Sequence, residues 1–144
     1  MKVMALTILL VMFFWRIKNT PAMLSKEKYE EKIQKLIDKN KESLDNLGDY
    51  QEIAKSIAIV TVWVLQLLFI IFYIMLGTKL NTTYMMILSS LQVFTCVYST
   101  LKQANMSAFS KDIEDFPFYR WYCLFNVILD YMYYPVAIYM LLMK

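Results

Sequence analysis

No charged residue stands between Lys55 and Lys79. As an α-helix that interval is about 36 Å long, and the hydrocarbon core of a bilayer is about 30 Å thick. The run Ile53–Leu76 within it, IAKSIAIVTVWVLQLLFIIFYIML, reads as a membrane span. Backbone amides in lipid must be satisfied internally, so a span of this kind is a helix. Thr82–Leu101 and Pro117–Met143 are two further runs of spanning length, and Val3–Trp15 is a shorter one, about 20 Å as a helix. Hydrophobic residues make up 59% of the chain and charged residues 19%, and the charges crowd into residues 16–55 and 102–120. A soluble domain would interleave them with its core, whereas a bilayer demands separate blocks. With two glycines and three prolines, long helices are little interrupted. The expected fold is all-α: a multi-span helical membrane protein with three long spans, a short N-terminal hydrophobic helix and one cytoplasmic amphipathic helix.

The apolar N-terminal run allows two readings. A lysine followed by Val3–Trp15 resembles a signal peptide, with Thr20 and Ala22 as small residues before a cleavage site. The reading preferred is a retained signal-anchor over residues 1–17. Gly77 to Asn81 is a tight connection, so residues 53–76 and 82–101 form an antiparallel hairpin, with Gly77 stopping one helix and Asn81 capping the next. The basic residues orient the spans. With residues 16–55 and 102–120 inside, every Lys and Arg is cytoplasmic except Lys2, Lys79 and Lys144. Both ends of the chain then face outward.

Residues 24–47 read as the cytoplasmic helix. Ser25 can cap it, and Tyr29, Ile33, Leu36, Ile37, Leu44 and Leu47 recur as one apolar stripe. Gly48 should break the chain there, with Asp49 to Glu52 as a capping box for the next helix. The stripe suits a helix lying on the membrane surface; a short coiled-coil arm facing a partner is the alternative.

Each long span carries polar residues at depth: Gln66, then Gln92, then Asn126 and Asp130. Pro135 cannot donate to the Tyr131 carbonyl and should kink the last span over residues 117–143. An ionised carboxylate at such depth costs about 2.5–3.5 kcal/mol. The four polar side chains are either glue between helices, with Asp130 protonated, or the lining of a groove for a polar client segment. Arg120 lies about 15 Å along the same helix, too far to pair directly with Asp130.

Histidine is absent, and Cys96 and Cys123 are too few for a thiolate metal site, so no metal, cofactor or catalytic set is expected. Both cysteines read as small packing residues. A net charge of +3 gives no case for nucleic acid, and nothing marks a small-molecule substrate.

Leu36-Ile37-Asp38-Lys39-Asn40-Lys41-Glu42-Ser43-Leu44 resembles the pre-membrane segment of the transmembrane protein 208 family. Ile70-Ile71-Phe72-Tyr73 continues the likeness, and Met106-Ser107-Ala108-Phe109-Ser110-Lys111-Asp112 is similar to the family's stretch after its second span. About residues 36–112 are covered. The family comprises small endoplasmic-reticulum proteins of targeting independent of the signal-recognition particle. The resemblance implies a non-enzymatic protein of the endoplasmic reticulum that assists membrane-protein targeting, insertion or assembly, with the bilayer and other membrane proteins as partners. Without it, an organellar or bacterial inner membrane is expected. An accessory structural subunit of a larger membrane complex is the alternative function. A small pore-forming or holin-like protein is the third, although a pore wants a polar stripe along a whole span.

Overall fold

The structure, a computed structural model, describes residues 2–105 and 116–143. Its regular elements there are helical: α1 Lys2–Leu24, α2 Lys26–Asp45, a 3₁₀ turn Gly48–Tyr50, α3 Gln51–Leu80, α4 Thr83–Asn105 and α5 Arg120–Met143. Three stretches are long and apolar enough to cross a membrane: α1, the 3₁₀ turn with α3, and α5. α4 is as long as α1 but spaces Ser, Thr and Gln along its length, and it is not one of the three.

Side-chain pairings set the arrangement. Phe13 meets Tyr131 and Tyr134 while Arg16 meets Asp130, so α1 and α5 run antiparallel. Ser89–Tyr133, Gln92–Asp130 and Tyr98–Tyr122 make α4 and α5 antiparallel as well. The α3–α4 hairpin completes a four-helix bundle of alternating direction. Its core holds Leu9, Tyr73, Leu80, Met85, Tyr133 and Ala137, all fully buried. The Tyr73 and Tyr133 rings meet edge to face, as do those of Tyr133 and Tyr134, the arrangement that ring quadrupoles favour.

Several local expectations are corrected. The N-terminal helix does not stop near Trp15 or at residue 17. It runs through Pro21 to Leu24, because the Arg16–Asp130 and Lys32–Asn19 contacts hold the last turns. Gly77 does not stop α3, which continues to Leu80. Asn81, left-handed at φ 45°, ends α3, and its N–H returns to the Gly77 carbonyl. Thr82 is the residue that caps α4: its Oγ1 accepts from the Met85 N–H at 3.4 Å. The capping box does not form either. Tyr50 is the N-cap of α3 without a side-chain bond, because the preceding turn is 3₁₀, with the Tyr50 N–H bonded to the Leu47 carbonyl.

Gly48 sits at φ +52° in the bend between α2 and α3, a conformation that costs glycine nothing. Pro135 lies on the exposed side of α5, and helix continues on both sides of it. Ser25 alone separates α1 from α2. On α2, Tyr29, Ile33 and Ile37 are half-buried, and Tyr29 rests on Phe118 with ring centroids 5.3 Å apart. Leu36 is exposed, Leu47 lies past the helix end, and the Leu44 side chain is outside the described residues. Met106–Asp112 lies outside them too, with most of the expected cytoplasmic loop.

Candidate functional site

Asp130 is the centre of the polar interior. It sits on the buried face of α5 and is 3% exposed. Its Oδ2 lies 3.4 Å from the Arg16 Nε of α1, and its Oδ1 accepts a hydrogen bond of 3.0 Å from the Gln92 Nε2 of α4. Three helices are tied at one carboxylate. The ion pair offsets the charge that burial would otherwise penalise.

Two hydroxyl contacts lie toward the hairpin end. The Tyr73 and Tyr134 hydroxyls are 2.6 Å apart, and the Ser89 hydroxyl donates to that of Tyr133 at 3.5 Å. Every buried side-chain nitrogen and oxygen among the described residues has a partner. Such a network holds helices in one register, because any slip leaves a polar atom unsatisfied in apolar surroundings.

Of the four polar residues singled out in the spans, the structure brings two together. Gln92 and Asp130 bond directly. Asn126 is buried but turns back to its own helix, donating to the Tyr122 carbonyl at 2.9 Å. Gln66 is half-buried, and among the described residues it bonds no other helix. It lies on the stretch of α3 that precedes the buried residues Tyr73, Leu76, Gly77 and Leu80. The reading of Gln66 and Asn126 as glue across the bundle is therefore corrected.

Arg16 is the residue that sequence reasoning missed. It resembles a flanking charge after an apolar run and so reads as cytoplasmic. The signal lay just beyond it: Ile17 and then Pro21-Ala22-Met23-Leu24 return to apolar character, which permits another two turns of helix and carries Arg16 inside. Asp130 then has the opposite charge that seemed to be absent.

The polar contacts continue outward from Arg16. Its guanidinium carbon lies 5.4 Å from the centre of the Trp15 ring, and the Lys32 Nζ of α2 lies 6.0 Å from the same ring. Lys32 also donates to the Asn19 Oδ1 at 2.5 Å. Burial, and then the nearby Arg16 charge, hold the Lys32 ammonium below its usual pKa. A chain of contacts thus runs from the charged helix α2 to the carboxylate within the bundle.

Cys123 is buried in α5 and Cys96 half-buried in α4, and among the described residues they form no disulfide. No protein-family model, curated protein or solved structure matches this chain.

Proposed function

We propose that this chain is a non-catalytic, multi-pass membrane protein that acts by binding other membrane proteins, as an accessory subunit of a larger complex. The observation that carries the reading is a contrast. Arg16, Gln92 and Asp130 satisfy one another inside the bundle, while the first half of α3 presents apolar side chains outward. Ile57 is 62% exposed, Val60 60% and Leu67 55%. Polar groups already paired have little to offer a polar client segment, whereas an apolar rod suits lipid and neighbouring spans.

A second reading is assistance in targeting, insertion or assembly, supported by the likeness of residues 36–112 to the transmembrane protein 208 family. That reading would place the protein in the endoplasmic reticulum. A pore is the least favoured, since the polar contacts are concentrated at one carboxylate and its immediate neighbours. Co-purification from native membranes in mild detergent separates the three. A fixed stoichiometric partner is expected. Ribosome- or translocon-associated partners would favour targeting, and a homo-oligomer alone would favour a pore.

The proposed topology has α1, α3, α4 and α5 crossing the membrane and α2 in the cytoplasm, as the basic residues require. In a cysteine-free background and sealed vesicles of native orientation, a cysteine replacing Lys39 should resist an impermeant thiol reagent. One replacing Thr78 should react. Labelling at position 39 from outside would reverse the scheme.

A further inference from the structure

Among the described residues, positive charge goes unanswered at the corner where α2 leaves α1. Arg16 is met by Asp130, Lys26 by Glu30 at 3.5 Å and Lys35 by Glu31 at 2.6 Å. Lys32 differs. Among the described residues its contacts are the neutral Asn19 amide oxygen and the Trp15 ring. Its helical neighbours on the same face, Lys28, Lys35 and Lys39, are basic as well. Two cations, Arg16 and Lys32, therefore converge on one indole, and the carboxylate beside them among the described residues, that of Asp130, is engaged on the bundle side by Arg16 and Gln92. A partly buried ammonium without a counter-charge is costly.

The surroundings indicate what would supply the counter-charge. Trp15 is 57% exposed, and headgroup depth is where an exposed tryptophan is favoured, with its ring along lipid. Helix α2 is too charged to enter hydrocarbon, yet its Lys32 reaches Asn19 and Trp15. That level of α1 is therefore within a lysine side chain of the headgroup layer. The basic stripe of Lys28, Lys32, Lys35 and Lys39 runs beside the half-buried Tyr29, Ile33 and Ile37, the pattern of a helix resting on an anionic leaflet.

We propose that the α1–α2 corner binds the phosphate of an acidic phospholipid headgroup, with Lys32 as its principal ligand and the Trp15 ring as the surface its acyl chain lies against. The proposal rests on the membrane reading above. An ammonium has three N–H donors; one is held by Asn19, which fixes the side chain and leaves donors for phosphate oxygens. Arg16 contributes charge, while its Nε stays with Asp130.

The full-length protein is reconstituted in nanodiscs of phosphatidylcholine with or without phosphatidylglycerol, and retained lipid is counted by native mass spectrometry. The wild type should retain phosphatidylglycerol in preference to phosphatidylcholine. Lys32→Gln should weaken that preference about fivefold, the worth of one lysine at a charged leaflet. Lys32→Arg should keep it, and so should Lys41→Gln on the opposite face of α2. Equal retention by wild type and Lys32→Gln would overturn the proposal, as would equal losses in Lys32→Gln and Lys41→Gln. Displacement of the lipid by inorganic phosphate would make this a free-anion site and overturn the headgroup assignment. A protein that does not enter the discs at all would overturn the membrane reading itself, an outcome distinct from entry without lipid preference.

Discussion

Arg16→Met is expected to lower stability in mild detergent by about 3–5 kcal/mol, the usual cost of leaving one partner of a buried ion pair alone. Asp130 is 3% exposed and, among the described residues, would keep only the Gln92 hydrogen bond. The reciprocal change should cost less. The Arg16 side chain is 24% exposed and long enough to turn toward the headgroup layer, so Asp130→Leu allows an escape that Arg16→Met does not. Removing both charges together should restore much of the loss, because apolar side chains of similar volume often replace a buried pair at little cost. The measurement is a double-mutant cycle on thermal unfolding in detergent. Additive losses in Arg16→Met and Asp130→Leu would mean that the two groups do not interact. Asp130→Asn belongs between these cases: the amide still accepts from Gln92 but leaves Arg16 without its counter-charge. Read without Arg16, the sequence suggests that Asn would be tolerated; the ion pair changes that expectation.

What could be read in advance was whatever the solvent dictates. The uncharged interval between Lys55 and Lys79 needs lipid or a large core on every side, and it is helix throughout. The lone acid Asp130 had to be turned inward for the same reason. What could not be read depends on partners distant in sequence. Arg16, Lys18, Asn19 and Pro21 look locally like the end of a helix. They remain helical because Arg16 finds Asp130 and Asn19 finds Lys32. Nothing in the spacing of Asn126 distinguishes a cross-helix bond from one to its own backbone, since Asn126 and Asp130 share a face and both are buried. Gln66 fails for a simpler reason. Its central place in an apolar run says nothing of whether a neighbour packs at that height.

Gly77 shows the same limit and carries the second large prediction. By propensity a glycine near a polar connection marks a helix end. In the structure it lies in the last turn of α3 and is buried, and a Cβ built on it would lie 2.8 Å from both the Cβ and the Oγ of Ser89 on α4. In the proposed membrane topology, lipid gives helices no hydrophobic incentive to associate, so close backbone approach at small residues is a main source of contact energy. Two effects oppose each other in Gly77→Ala. Helix propensity favours alanine by about 1 kcal/mol, while overpacking a close contact costs about 1–3 kcal/mol. The Ser89 Cβ is fixed to its backbone and cannot swing away, so Gly77→Ala should come out neutral to mildly destabilising. Gly77→Leu has no such balance and should separate α3 from α4, with a loss at or above the upper end of that range. Because Ser89 also donates to Tyr133, the displacement should disturb α5 as well. Adding Ser89→Gly to Gly77→Ala removes the atoms in conflict and should return the protein to at least the stability of Ser89→Gly alone. Unfolding in detergent reads all four variants. A Gly77→Leu protein as stable as the wild type would show that α3 and α4 do not meet at this point. A destabilised Gly77→Ala that Ser89→Gly fails to relieve would place the obstruction elsewhere.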